Sequence, residues 1–130
     1  MGMQTRRRIL GDAHVDKAEA AKTDFDAPFQ DLITEAAWGH VWSRGTWDER
    51  QRSIVTLALL CAGRNWDEVA MHIRATATTG ASRDDMREIL LHLAIYAGVP
   101  VANHAAKLAK QVYADMDQET KGTGAEEAGT

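Results

Sequence analysis

The chain is 130 residues long with a formal net charge of −4, a size that suits one domain and buries enough surface to fold without disulfide or metal. Its one cysteine, Cys61, excludes an intramolecular disulfide, a CxxC redox pair and a cysteine-rich zinc site. The acidic balance gives no reason to expect nucleic acid as a partner.

The N-terminal "MGMQTRRRILGDAHVDKAEAAK" is basic but has no apolar core, so it does not read as a secretory signal. Its part "RRRILGDAHVDKAEAAK" reads as one or two helices around Gly11. "DAPFQDLITEAAWGHVW" reads as the next helix, with Asp26 as its cap and Pro28 in the first turn, where a missing N–H costs little. "TWDERQRSIVTLALLCAG" opens with Thr46 and Glu49 at capping-box spacing and can end at Gly63. "NWDEVAMHIRATATTG" repeats the device from Asn65 to Gly80, and "SRDDMREILLHLAIYAG" runs from Ser82, with Asp85 three residues on, to Gly98. Pro100 starts the last helix, "VPVANHAAKLAKQVYADM". No stretch alternates as a strand would. The expectation is an all-α chain of about six helices, with one domain over residues 1–116 and a mobile polar tail, "DQETKGTGAEEAGT", over 117–130.

The most apolar run, "SIVTLALLCAG", is too short to span a bilayer, so no membrane is expected and the chain reads as cytoplasmic. Both "SIVTLALLCA" and "ILLHLAIYA" are apolar almost all round, and a helix apolar on every side must be covered on every side. In so short a chain part of that cover is expected from another copy, making the protein a homo-oligomer.

In the helix from Asn65 to Gly80, turned at about 100° per residue, Trp66, Val69, Ala70, Ile73 and Ala77 gather on a core face. Glu68 and His72 share another sector with Asn65, Ala75, Thr76 and Thr79, all short, which leaves room for a ligand or another helix to approach. An i,i+4 Glu–His pair suits either an acid/base couple or a surface ion pair, and Glu88 and His92 supply a second such pair. Metal binding is disfavoured, because HExxH is absent and no third ligand lies nearby. The block "EAAWGHVWSRGTWDERQRS" sets Trp38 and Trp42 one turn apart, followed by Arg44, Arg50 and Arg52. Each residue alone fits a core indole or a solvated charge. Together they suit carboxylate binding between indole walls, since arginine grips carboxylates bidentately.

The pieces "GDAHVDKA", "FQDLITEAAWGHVWSR", "ERQRSIVTLALLCAGR", the Glu68/His72 helix ending "TTG", and "EILLHLAIYAGVPVAN" together resemble the gamma-carboxymuconolactone decarboxylases of protocatechuate breakdown, in this order and over residues 1 to about 116. The wider superfamily contains alkylhydroperoxidase D-like proteins, whose disulfide chemistry needs CxxC just before the helical histidine. Matched on His72, those positions hold Asn65 and Glu68, so that chemistry is not open to this chain. The resemblance implies an alkylhydroperoxidase D-like helical bundle, a ring-like homo-oligomer that is typically a hexamer, and a reaction without cofactor: 4-carboxymuconolactone loses carbon dioxide to give 3-oxoadipate enol-lactone. It implies His72 and Glu68 as catalytic residues, with His72 as general acid. It implies Trp38, Trp42, Arg44, Arg50 and Arg52 as the site for a small dicarboxylate lactone. His92 and His104 match no functional residue of the family, and Trp47 and Trp66 read as packing. Another lactone decarboxylase or isomerase on the same scaffold, or a non-catalytic helical oligomer, remain the alternatives.

Overall fold

Two helices rather than one open the chain because Gly11 stands at φ +91°, ψ +148°, a conformation that L side chains rarely adopt. They are α1 (Gly2–Leu10) and α2 (Asp12–Ala21), the first elements of a computed structural model that describes the backbone of residues 1–128 and the side chains of residues 1–121. Then come α3 (Ala27–Ile33), a π-helical segment (Thr34–Val41), α4 (Glu49–Ala62), α5 (Trp66–Thr79), α6 (Arg83–Tyr96) and α7 (Val99–Ala128). The described residues are thus all-helical, with seven α-helices and no strand.

The helix expected from Asp26 to Trp42 is in fact two elements. Asp26 stands at the cap of α3, but its carboxylate accepts from the Thr23 N–H at 2.7 Å and not from the helix. After Ile33 the chain widens to a π-helix, and the Trp42 N–H reaches back five residues to the Ala37 carbonyl at 2.8 Å. Such segments are rare and occur often at functional sites. Here α1 packs against it backbone to backbone. A Cβ on Gly2 would stand 2.5 Å from the Thr34 carbonyl oxygen and 3.2 Å from the Gly39 nitrogen, so only glycine fits.

Helix α4 is capped two residues later than its sequence suggested. The Gln51 N–H donates to Asp48 Oδ1 at 2.8 Å and the Asp48 N–H to Gln51 Oε1 at 2.9 Å. Its other end closes with the Arg64 N–H on the Cys61 carbonyl and the Asn65 N–H on the Leu60 carbonyl, a Schellman arrangement. The left-handed position of that motif is occupied by Arg64, at φ +58°, and not by Gly63. The stops at Gly80 and Gly98 and the Ser82–Asp85 capping box stand as the sequence indicates. Helix α7 continues past Met116 to Ala128, and residues 129 and 130 of the expected tail lie outside the described residues.

By packing, the chain forms two compact units: Met1–Ser53 with Ala75–Ala81, and Ile54–Arg74 with the residues from Ser82 onward. The first unit has a small core of Ile9, Trp38, Trp42 and Ala75. It is reinforced by buried Arg6, which donates to Glu19 at 3.1 Å and to Thr34 at 3.4 Å. The hydrogen bond from Lys22, with that from Arg6 behind it, holds the Glu19 carboxyl below its usual range. The second unit has a larger apolar core built on Leu57, Cys61, Val69, Ile73, Met86 and Leu93 together with the small residues of α7. Burying each large side chain there contributes about 1.5–3 kcal/mol. At the edge of this unit Arg83 pairs with Asp117 at 2.6 Å and Arg74 with Glu119 at 3.0 Å, which ties down the middle of α7. Among the described residues no helix is long and apolar enough to cross a membrane.

Candidate functional site

The loop from Trp42 to Asp48, between the π-helical segment and α4, borders an open cleft of about 690 Å³ in the first unit. Trp42 forms part of its wall. This indole is buried and tilted against Trp38, with ring centroids 5.2 Å apart. Trp38 therefore backs the wall and does not line the cleft. Arg44 and Arg50 both line it, as do Ser43, Trp47 and Thr79. Among the described residues the Arg44 guanidinium makes no ion pair.

Arg52, expected to bind substrate directly, is turned toward the loop backbone. Its Nη2 donates to the Arg44 carbonyl at 3.1 Å and its guanidinium lies 5.8 Å from the centre of the Trp47 ring. It holds the loop that carries Arg44. A guanidinium that satisfies a carbonyl and covers an indole at once needs the planar, multi-donor group that lysine lacks.

Arg8 and Trp47 also line the cleft, although neither was among the expected site residues. Trp47 is about half exposed, more than a packing residue should be. Arg8 also lines the cleft and forms an ion pair with Glu49 at the start of α4. The run Arg6–Arg7–Arg8 was the available signal. At about 100° per residue, three successive arginines on a helix cannot all share one environment.

Glu68 and His72 belong to the second unit, on α5. They differ sharply in burial. Glu68 is exposed and lines a cleft of about 410 Å³ with Arg64, Asn65, Trp66 and Asp67. His72, one turn on, is only 6 % exposed, in the company of buried Thr76 on the same helix. The short-residue sector is thus covered toward its C-terminal part and open toward its N-terminal part. On the core side Val69 and Ile73 are fully buried as expected, whereas Ala77 is exposed. His104 stacks on Trp66 with centroids 4.0 Å apart and planes within 5°, and His92 stacks on Tyr96 at 5.6 Å. Among the described residues no three His, Cys, Asp or Glu side chains gather as metal ligands would. Burial pushes the Cys61 thiol up to about 11, which leaves it a packing group at neutral pH.

A model of the carboxymuconolactone decarboxylase family matches residues 27–111. The chain is 39 % identical over 115 residues to a 4-carboxymuconolactone decarboxylase of Acinetobacter baylyi, covering 88 % of this chain and 86 % of that protein. It is 37 % identical, also over 115 residues, to a nitrosuccinic acid decarboxylase of Metarhizium robertsii, covering 88 % and 80 %. A 38-residue stretch, 29 % of this chain, is 53 % identical to a 4-carboxymuconolactone decarboxylase of Pseudomonas putida and covers 79 % of it.

Proposed function

Since the chain belongs to the carboxymuconolactone decarboxylase family, we propose that it is a carboxy-lyase that removes carbon dioxide from 4-carboxymuconolactone without a cofactor, giving 3-oxoadipate enol-lactone in the protocatechuate branch of aromatic catabolism. The observation that carries this reading to the residues is the cleft of the first unit, where Trp42, Arg44 and Arg50 line one open space in a chain whose relatives are decarboxylases.

The chemistry explains why such residues are useful. As the carboxylate leaves the ring carbon, its electron pair flows through the adjacent C=C to the lactone carbonyl and forms a dienolate. Protonation at the carbon next to that carbonyl gives the enol-lactone. The substrate brings its own electron sink, so the protein has to orient the dianion, stabilise the developing oxyanion and deliver one proton. Preorganised donors toward an oxyanion are often the largest catalytic contribution. Arginine on the remote acetate arm orients the substrate without favouring retention of the departing carboxylate, whose charge disappears. An indole wall such as Trp42 is a suitable neighbour for that departing group.

In this reading Arg44 and Arg50 hold the acetate arm, Trp42 backed by Trp38 shapes the wall, and Arg52 supports the loop. His72 is the general acid, the role that the family resemblance implies for it, and a positioned acid contributes about 10²–10⁴-fold. Glu68 orients or charges it. The reading also takes the protein as cytoplasmic, with residues 1–116 as the catalytic domain and 117–130 as an appended tail. It takes the assembly as a homo-oligomer, a hexamer by family resemblance. Exposed Val55 and Leu59, one turn apart on α4, and Leu91 and Ile95, one turn apart on α6, support that last part. Side chains of this kind left in water invite association.

A second substrate is favoured by a specific observation, the 37 % identity to a nitrosuccinic acid decarboxylase. Nitrosuccinic acid is also a dicarboxylic acid. One of its carboxylates sits on a carbon beside an electron acceptor, the nitro group, so loss of carbon dioxide leaves a nitronate that needs one proton. Both substrates ask for the same three services.

The test is replacement of His72 by Asn, with turnover and thermal midpoint measured together. The reading expects a folded protein at least 10²-fold slower. A folded protein of unchanged rate removes His72 as the acid.

A further inference from the structure

We propose that Arg8 is a carboxylate-binding residue of the first-unit cleft, and that Glu49 is an internal carboxylate which a dicarboxylate ligand displaces from it. The proposal rests on the reading of that cleft as a dicarboxylate site, and it names a binding group and a built-in competitor that the reading itself does not contain.

The three consecutive arginines of α1 have different fates. Arg6 is buried against Glu19 and Thr34, and Arg7 is held by Asp12 and Asp16 at 3.1 and 2.8 Å. Arg8 alone of the three lines the cleft, and its carboxylate partner, Glu49, lines the cleft too. The pair is partly open to water, with side-chain exposures of 54 % for Arg8 and 31 % for Glu49. An ion pair so exposed is weak and exchanges readily for another carboxylate.

The second acid in the cleft lining, Asp48, is committed elsewhere. Its Oδ1 accepts the Gln51 N–H at 2.8 Å and caps α4. Glu49 is therefore the carboxylate able to let go, and Arg8 the cation it would release. With Arg44 and Arg50 in the same lining, release of Arg8 gives the cleft a separate cation for the second carboxylate of a dianion. A monoanion needs no such release, so the exchange favours dicarboxylates. Arg8 also lies outside residues 27–111, the part matched by the family model.

A purely structural clamp predicts that breaking the pair from either side has the same effect. Displacement predicts opposite effects. The experiment titrates full-length protein with glutarate, and with butyrate as the one-carboxylate control, following the indole N–H resonances of Trp42 and Trp47. Thermal midpoints are read in parallel. Arg8→Gln should weaken glutarate about tenfold, the scale of one charge-assisted hydrogen bond, and leave butyrate nearly unchanged. Glu49→Gln should tighten glutarate about two- to fivefold, the scale of an exposed pair. The double variant should behave like Arg8→Gln alone, because Glu49 competes only through Arg8. Shifts in the same direction for both single variants, no shift in either, an equal effect on butyrate, or no glutarate binding by the wild-type protein would each overturn the proposal. If the pattern appears but the wild-type protein decarboxylates neither 4-carboxymuconolactone nor nitrosuccinate, the decarboxylase reading fails while the carboxylate exchange stands.

Discussion

The two units hold their side chains in place by different means. In the second, Val69, Ile73, Leu57 and Cys61 are essentially inaccessible to water, and position follows from close packing. Around the cleft of the first, the loop and the start of α4 are held by polar ties: the Arg52 guanidinium donates to the Arg44 carbonyl and the Gln51 N–H to Asp48. Packing tolerates few changes of shape but does not depend on one donor. A polar tie can be cut by one substitution with little loss of stability. The first unit should therefore be easy to disable without unfolding, and the second easy to unfold.

The largest expected effect is in the second unit. Leu93 is 5 % exposed and Leu59 is 66 % exposed. Leu93→Asp buries a carboxylate in apolar surroundings and should cost about 4 kcal/mol or more, enough to unfold most of the population. Leu59→Asp should change subunit stability by roughly 0.5 kcal/mol or less, yet shift the protein to smaller species if that face meets another copy. Circular dichroism melts and light scattering read both. A folded Leu93→Asp protein would break the comparison.

In the first unit, Arg44→Gln should raise KM for a dicarboxylate substrate about tenfold, the worth of one charge-assisted hydrogen bond, with the melting temperature nearly unchanged. Arg52→Lys should produce a smaller rise through a loosened loop, since lysine cannot satisfy the carbonyl and lie flat over Trp47 together. Steady-state kinetics with a melt on each variant decides this. An Arg52→Lys effect larger than that of Arg44→Gln would make Arg52 the direct ligand and Arg44 the lesser residue.

The smallest effect lies at the end of α4. Arg64 occupies a left-handed position that costs an L side chain about 1–2 kcal/mol, partly offset by the extra freedom glycine has when unfolded. Arg64→Gly should raise stability by about 0.5 kcal/mol in a denaturant melt. A loss instead would mean that the Arg64 side chain stabilises the second unit by more than its backbone strain.

These contrasts also mark what the sequence could reveal. Helix ends set by local chemistry were legible: Ser82 with Asp85, Gly80 and Gly98 each act within a few residues of themselves. The start of α4 was ambiguous because Thr46/Glu49 and Asp48/Gln51 both satisfy the same pattern, and only the turn of the preceding loop chooses. The π-helical segment was invisible, since Trp38 and Trp42 fall on one side of either kind of helix. An apolar-all-round helix does not say which side its own core takes, so Leu59 and Leu93 looked alike. Of the candidate site, Trp42, Arg44 and Arg50 were legible as one local block and do share a cleft. Arg8 was not, because its partner Glu49 is distant in the chain and only the tertiary fold brings them together.

The central claim is decarboxylation of a dicarboxylate that carries its own electron sink. The most direct measurement follows purified wild-type protein with 4-carboxymuconolactone by ultraviolet absorbance while carbon dioxide is collected, in buffer with no added cofactor and with chelator present. The account predicts loss of the lactone chromophore with one carbon dioxide released per lactone, at a rate proportional to protein. An unchanged lactone, or a changed spectrum without carbon dioxide, would contradict it.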